Sequence, residues 1–165
     1  MSHFKYWYFS SPLGDIEIKF DDNFIYALNF VETNQVKINE ANSANKTLSL
    51  ALEQIQNYFS GNLKSFDLPL KLNGTEFQNR VWTELLNIPY GKTISYLSLA
   101  KKLGDEKCIR AAASANGKNP FLIIVPCHRV IGSDGSLTGY SGGFWRKQWL
   151  LEHEAKKVGT HNKLF

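Results

Sequence analysis

The first thirty residues alternate between strand-like runs and short turn-forming sequences. Residues 6–10 are mostly aromatic, residues 15–20 alternate polar and apolar side chains, and residues 24–30 form a further apolar run. The sequences Ser11-Pro12-Leu13-Gly14 and Asp21-Asp22-Asn23 separate these runs and are typical of tight turns. This pattern predicts three short strands joined by turns, which we interpret as a small antiparallel meander.

The next segment changes to helical periodicity. A mostly polar stretch over residues 33–45 is expected to be a loop, and the helix after it is expected to end at Gly61. Apolar side chains recur at helical spacing in this helix: Leu48, Leu52, Ile55 and Phe59.

Stripes of apolar side chains at a spacing of three or four also predict helices throughout the second half. The four predicted helices cover residues 76–87, 95–103, 107–116 and 146–156. Ser95 is expected to cap the second of them, and Gly104 separates it from the third.

Two short helices around a glycine turn match a helix-turn-helix. The later helix carries a run of alanines, Ala111-Ala112-Ala113. Small side chains there suit either close helix packing within the protein or close approach to nucleic acid. Arg110, near the start of the helix, favours the nucleic acid.

The patterns together predict an α+β protein. A small N-terminal α/β domain with antiparallel strands is expected over residues 1–72. A mainly helical C-terminal domain containing the helix-turn-helix is expected over residues 73–165, because the chain becomes basic and helix-rich near Asn73-Gly74.

A reactive cysteine is predicted at the end of an apolar run. Residues 121–125 are uninterrupted apolar positions and predict a strand buried on both faces, which Pro126 would end. Cys127 follows, with His128 and Arg129 directly after it. A buried cysteine can also be a small hydrophobic packing residue. Here the two ionisable neighbours could stabilise a thiolate, which favours a functional thiol.

The same pair could serve a cysteine hydrolase, in which a histidine activates the nucleophile. Neighbouring residues on a strand point to opposite faces, so His128 would be poorly placed to deprotonate Cys127 directly. Either the backbone turns at this point or a water relays the proton. A metal site is not expected, because no second pair of ligands stands at a suitable spacing.

Composition indicates the class of protein and the compartment in which we expect it. At 165 residues, 43% hydrophobic and 21% charged, the chain is an ordinary globular protein without a membrane-spanning run or a signal peptide, so we expect it in the cytoplasm. Its two cysteines, Cys108 and Cys127, are then expected to be free thiols.

Charge is distributed unevenly along the chain. Residues 1–74 carry 6 Lys and Arg against 8 Asp and Glu, a net charge of −2. Residues 75–165 carry 13 against 7, a net charge of +6, and contain every arginine. A basic half of this kind favours a polyanionic partner.

Residues 75–156 resemble the O6-alkylguanine-DNA alkyltransferases, also called methylated-DNA–protein-cysteine methyltransferases. The resemblance is carried by an ordered set of motifs, and the first half of the chain resembles the family only loosely. The main motifs are Pro126-Cys127-His128-Arg129-Val130-Ile131, Ile88-Pro89-Tyr90-Gly91-Lys92-Thr93, Asn119-Pro120, Gly139-Tyr140-Ser141-Gly142-Gly143 and Leu150-Leu151-Glu152-His153-Glu154.

The resemblance implies a chemistry for the cysteine. Cys127 would accept the alkyl group from the O6 atom of a damaged guanine, irreversibly and once per molecule. His128 would take the thiol proton through a water, and Glu154 would orient the imidazole. Tyr96 would help to turn the nucleotide and donate a proton toward the departing guanine. Arg129 would make structural hydrogen bonds, and Cys108 would be inert.

It also implies a DNA face and a base pocket. The helix-turn-helix would bind double-stranded DNA through the minor groove, with Arg110 filling the gap left by the extruded nucleotide. Its other expected DNA contacts are Ser95, Ala111 and Ala112. The expected base-pocket residues are Asn119, Val130, Tyr140, Ser141 and Gly142.

The implied protein acts as a monomer on DNA containing O6-alkylguanine, with O4-alkylthymine as an open second substrate. It needs no cofactor and has no membrane partner. Some members bind zinc in the N-terminal part through cysteines and histidines. This chain has no cysteine there, so no metal is expected. Residues 1–72 would support the DNA-binding and alkyl-acceptor domain over residues 73–165.

Three other functions remain as alternatives. A non-catalytic protein that recognises alkylated DNA would resemble this family, but such proteins replace the acceptor cysteine, commonly by tryptophan. A transcriptional regulator would use the same helix-turn-helix, although the chain lacks a separate sensor domain. A cysteine hydrolase is the remaining alternative among enzymes.

Overall fold

The computed structural model describes residues 3–32 and 44–159, so most of the loop expected over residues 33–45 lies outside the described residues. The chain forms two compact units. The first comprises Met1–Asn73 with Pro120–Ile124, and the second comprises Gly74–Asn119 with Val125–Phe165.

The first unit contains the predicted antiparallel meander, which is confirmed. Strands β1 (Lys5–Ser11), β2 (Gly14–Phe20) and β3 (Ile25–Phe30) lie in that order in one sheet. Trp7 of β1 lies opposite Ile18 of β2, and Ile18 lies opposite Leu28 of β3. The apolar residues of β2 alternate and are fully buried, so this strand forms the centre of the unit's core.

Helix α1 (Lys46–Ser60) confirms the first predicted helix. The Asn45 side chain accepts a hydrogen bond from the Leu48 N–H and caps its start. Gly61 ends it in the left-handed conformation, with φ of 85°, and its N–H bonds the last turn.

The strand predicted over residues 121–125 is wrong. Phe121 forms a single parallel bridge with Leu28, whose N–H donates to the Pro120 carbonyl. The chain then turns, because Ile123 has a φ of 75° and the Ile124 N–H bonds the Leu122 carbonyl. A β-branched residue rarely adopts this conformation, and a continuous apolar run gives no sign of it.

The second unit confirms the predicted helices, with ends shifted by a few residues. They are α2 (Glu76–Leu85), α3 (Tyr96–Lys102), α4 (Ile109–Gly117) and α5 (Phe144–Lys157). Strands β4 (Ile94–Ser95) and β5 (Val130–Ile131) pair in parallel between these helices. The predicted α+β class is therefore confirmed.

The helix-turn-helix consists of α3, a turn and α4. Ser95 caps α3 by accepting a hydrogen bond from the Ser98 N–H. Gly104, with a φ of 97°, makes the turn, and a short 3-10 turn over Glu106–Cys108 leads into α4. Within the described ranges, no helix has both the length and the apolar character needed to cross a membrane.

Candidate functional site

Cys127 begins a 3-10 turn over Cys127–Arg129 that directly precedes β5. The Cys127 N–H donates to the Val125 carbonyl at 2.8 Å, and the Arg129 N–H donates to the Pro126 carbonyl at 3.0 Å. The side chains of Cys127 and His128 therefore point in directions about 120° apart, as neighbours in a 3-10 turn do, and not in opposite directions as on a strand. The expectation that they lie on opposite faces of a strand does not hold, because the backbone turns at this point.

The Cys127 thiol is 2% exposed and is a free thiol. Burial raises its pKa to about 11, and a hydrogen bond from the Asn119 side chain and the charge of Lys147 offset only part of this rise. The resting group is therefore a neutral thiol at pH 7. His128 and Arg129, which could stabilise a thiolate, do not do so in this resting state, because desolvation is the larger effect.

His128 lies in a buried network with Glu154 of α5. Its Nε2 is 2.7 Å from the Glu154 Oε2, and both side chains are almost completely inaccessible to solvent. Burial lowers the pKa of His128, and the positive charges of Arg129 and Lys147 lower it further, against the opposing effect of Glu154. The imidazole is therefore neutral near pH 7.

The Glu154 carboxylate remains ionised in this network. Burial would raise its pKa, but the charges and hydrogen bonds of His128 and Arg129 outweigh burial and the net shift is downward. An ionised carboxylate only accepts hydrogen bonds, so Nε2 of His128 carries the proton. Its Nδ1 is buried and has no hydrogen-bond partner within residues 3–32 and 44–159. A lone pair is thus available there to accept a proton.

Arg129 holds the carboxylate from the other side. Its Nε donates to the Glu154 Oε1 at 2.8 Å, its second terminal nitrogen donates to Oε2 at 3.1 Å, and the first donates to the Ile88 carbonyl at 2.7 Å. Two parallel bonds of this kind fix a carboxylate in position. The structural role expected for Arg129 is confirmed.

Tyr96 stands at the first position of α3. Its hydroxyl donates to the Thr138 carbonyl at 2.7 Å, and burial raises its pKa. A thiolate at Cys127 would raise the pKa of Tyr96 further. The phenol is therefore protonated near neutral pH.

Lys147 is a buried cation that the sequence analysis missed. It is 1% exposed, and its Nζ donates to the Val130 carbonyl at 2.6 Å and the Thr138 carbonyl at 2.9 Å. Burial lowers its pKa to about 8. Its position was readable from the sequence, because Leu150 and Leu151 follow it at helical spacing and place it on the apolar side of α5.

The glycine-rich loop lies against Tyr96. Gly139 has a φ of 74°, and a Cβ there would be 2.9 Å from the Tyr96 hydroxyl, so only glycine permits this approach. Tyr140 follows with a buried hydroxyl that has no hydrogen-bond partner among the described residues, and burial raises its pKa well above the ordinary value. Gly142 is buried, whereas Ser141 is exposed.

Val130 and Asn119, the other two expected pocket residues, are buried. The Asn119 amide donates to the Val125 carbonyl at 2.7 Å and also hydrogen-bonds the Cys127 thiol. Asn119 therefore links the backbone before the acceptor to its sulfur.

Arg110 and Ala111 are exposed on α4, as a DNA contact requires. Ala112 is fully buried, so its side chain is not accessible for the expected contact with DNA. The alanine run thus serves helix packing as well as the surface. Trp82 of α2 anchors this helix, because its indole N–H donates to the Ala115 carbonyl at 2.9 Å.

The residues that the structure describes contain no group of three or more histidine, cysteine, aspartate or glutamate side chains that could hold a metal ion. The functional groups brought together in the second unit are the thiol of Cys127, the His128–Glu154–Arg129 network, Tyr96 and Lys147.

Comparison with known proteins assigns both parts of the chain. Residues 76–156 match the DNA binding domain of 6-O-methylguanine DNA methyltransferase, and residues 4–72 match its ribonuclease-like domain. A methylated-DNA–protein-cysteine methyltransferase of Methanosarcina acetivorans is 43% identical over 151 residues, covering 90% of this chain and 97% of that protein. One of Mycobacterium tuberculosis is 52% identical over 115 residues, 70% of each chain.

Solved structures agree with the sequence relatives. The crystal structure of Mycobacterium tuberculosis O6-methylguanine methyltransferase has a TM-score of 0.83 at 41% identity and covers 94% of both chains. The crystal structure of Mycobacterium tuberculosis OGT in complex with DNA has a TM-score of 0.82 at 43% identity, covering 92% of this chain and 93% of that one. With family matches on both halves and close relatives along nearly its whole length, the chain belongs to the methylated-DNA–protein-cysteine methyltransferase family.

Proposed function

We propose that the protein repairs O6-alkylguanine in double-stranded DNA by transferring the alkyl group to the sulfur of Cys127. The observation that carries the proposal is a buried neutral thiol beside a histidine whose free nitrogen can take a proton. The transfer is irreversible, so each molecule acts once. Mixing the protein with a duplex that contains O6-methylguanine, and determining whether Cys127 gains one methyl group, tests the proposal.

The proposed reaction removes one proton from the thiol and supplies one proton to the departing guanine. The Cys127 thiol loses its proton through a water to Nδ1 of His128, and Glu154 stabilises the resulting imidazolium through Nε2. The sulfur attacks the alkyl carbon, and the bond from that carbon to O6 breaks. Tyr96 donates its hydroxyl proton toward the departing guanine, and the proton held by His128 then returns through water to the Tyr96 oxygen, so both side chains end neutral. No cofactor takes part, because the protein itself is the acceptor.

The base pocket is proposed to lie between the glycine-rich loop and the acceptor turn. Tyr140, Ser141 and Gly142 would line one wall and Val130 the other. The hydrogen bonds of Asn119 would hold the thiol in position. O4-alkylthymine is the other alkylated base that we propose to test as a substrate for this pocket.

The DNA is proposed to meet the helix-turn-helix, with Arg110 in the place of the extruded nucleotide and Ala111 beside it. Ser95 would contact the DNA backbone as well as cap α3. Ala112 is not among the proposed DNA contacts, because its side chain is buried. We further propose that residues 73–165 form the functional domain, that residues 1–72 support it, and that the protein acts as a monomer.

The alternatives fit these observations less well. A protein that only recognises alkylated DNA has no use for the acceptor Cys127 or for the neutral His128 next to it. A hydrolase must recycle its nucleophile, whereas the family to which the chain belongs transfers a methyl group to a protein cysteine.

The pH dependence of transfer distinguishes base-assisted attack from attack by a pre-formed thiolate. Because burial lowers the pKa of His128 below its ordinary value of 6.5, more than half of the imidazole is already neutral at pH 6.5, and its neutral fraction rises by less than about twofold above that pH. We expect the single-turnover rate to change by less than about twofold between pH 6.5 and 7.5, where Lys147 is still mainly charged because its pKa is about 8. In His128→Ala, transfer depends on the thiolate fraction and should rise about tenfold over the same interval. A tenfold rise in the unaltered protein would contradict the role of His128.

Arg110→Ala should weaken repair of duplex DNA much more than reaction with the free modified base. Extruding a nucleotide costs a few kcal/mol. The arginine that fills the gap is expected to offset enough of this free energy to change the rate of duplex repair by about 10- to 100-fold. Lys156→Ala, which removes one exposed positive charge from α5, is the control for charge alone. Repair rates on duplex and on O6-benzylguanine measure the difference, and equal losses on both would count against gap filling.

A further inference from the structure

Two neighbouring aromatic side chains stand exposed at the start of α5. Phe144 is 60% exposed and Trp145 is 53% exposed, more than any other large hydrophobic side chain that the structure describes. Single exposed apolar residues are common, but two exposed aromatic rings in succession are a candidate binding patch, which we call the aromatic patch. The reaction proposed above uses neither residue.

Arg146 adds a positive charge and fixes the patch to the glycine-rich loop. Its guanidinium carbon lies 4.7 Å from the centroid of the Trp145 ring, and it donates a hydrogen bond of 3.0 Å to the Gly142 carbonyl. Residues 135–151 contain no aspartate or glutamate. The patch therefore combines aromatic faces with positive charge, which is the composition of surfaces that bind unstacked nucleotides.

The aromatic patch is connected to the helix-turn-helix. Thr138 accepts the hydroxyl of Tyr96 at the start of α3. A Cβ on Gly117, at the end of α4, would lie 3.5 Å from the Gly139 carbonyl. The loop that carries these contacts runs directly into Phe144 and Trp145, so it connects the helix-turn-helix to the aromatic pair.

We propose that Phe144 and Trp145 form a stacking platform for the bases next to the lesion when the damaged strand is single-stranded there. Arg146 supports the Trp145 ring and attracts the neighbouring phosphates. The position of the lesion in this inference rests on the proposed function. The inference itself concerns binding of the damaged DNA strand and not transfer of the alkyl group.

The test compares binding of single-stranded, undamaged oligonucleotide by the full-length protein and by Phe144→Ala/Trp145→Ala. Because stacking of one base on one aromatic ring contributes about 1–3 kcal/mol, we expect the double variant to lose at least about tenfold in affinity by fluorescence anisotropy. Trp145→Phe keeps an aromatic face and should retain most of the affinity. Phe24→Ala is the matched control, because Phe24 is also an exposed ring with a cation above it, Lys71, but belongs to the first unit.

Unchanged affinity in the double variant would overturn the proposal. So would an equal loss of reaction with O6-benzylguanine free base, because that result would place the rings in the acceptor pocket and not on the strand. Loss of a dimer by the variant, seen in sedimentation with DNA affinity intact, would assign the patch to a second copy of the chain and would also overturn it. Binding to undamaged strands needs no methyl transfer, so failure of the repair proposal and failure of the platform are separate results.

Discussion

Cys127→Ala is expected to abolish alkyl transfer completely while the protein still binds duplex DNA. The sulfur is the proposed acceptor, and no other group can take its place, whereas Arg110 and Ala111, the exposed residues proposed to contact DNA, lie on another element, α4. Single-turnover assays with methylated duplex and anisotropy with the same duplex measure the two properties.

Cys108→Ala is the matched control for losing a thiol. Cys108 lies in the turn before α4, with its Sγ 4.0 Å from the Ala100 carbonyl, and it should be replaceable with full transfer retained. Residual transfer in Cys127→Ala, or its loss in Cys108→Ala, would show that the acceptor has been assigned to the wrong cysteine.

Glu154→Ala is expected to have the largest effect on stability. The substitution leaves the guanidinium of Arg129 buried without its bidentate partner and removes the hydrogen bond to His128. Breaking one side of a buried ion pair costs about 3–5 kcal/mol in the free energy of unfolding. Transfer by the folded fraction should also fall about 100-fold or more, because the imidazole loses the group that orients it. Urea denaturation and single-turnover rates measure these effects.

Glu152→Ala is the control on the same helix. Glu152 is exposed and accepts one hydrogen bond from Gln148, so its loss should change the free energy of unfolding by less than about 0.5 kcal/mol. Glu154→Gln keeps the shape and one acceptor oxygen without the charge. Its free energy of unfolding should lie between those of Glu154→Ala and Glu152→Ala. If Glu154→Ala were as stable as Glu152→Ala, the buried network would not have the role described here.

Local patterns predicted most elements of the fold. The alternation in β2, the turn sequences beside it and the left-handed stop at Gly61 are determined by residues near one another in sequence, so the meander and α1 follow from the amino-acid sequence alone. The same holds for the Ser95 cap and the Gly104 turn of the helix-turn-helix.

Residues whose conformation depends on distant contacts were predicted less well. The apolar run over residues 121–125 indicated a strand, but bonds to Leu28 and the left-handed Ile123 turn it into a buried loop. The alanine run did not reveal which of its members face the solvent, and Ala112 proved to be buried.

The ionisation of the site also depended on three-dimensional packing. Adjacent His128 and Arg129 suggested a stabilised thiolate, yet Arg129 is bound to Glu154 and burial raises the pKa of Cys127. Pairing of His128 with Glu154 came from the family resemblance, since residues so far apart in sequence carry no local signal of contact. Lys147 was missed because a lysine beside an arginine at the start of a helix is most simply assigned to the solvent.

The most direct measurement of the central claim is the intact mass of the protein after reaction with a duplex containing one O6-methylguanine. With DNA in excess, every protein molecule should gain one methyl group in place of one hydrogen, and peptide mapping should place it on Cys127. The mass should not increase further on longer incubation or with fresh substrate. An unchanged mass with the duplex tightly bound, a methyl group on another residue, or repeated turnover of substrate by one molecule would contradict a single irreversible transfer to Cys127.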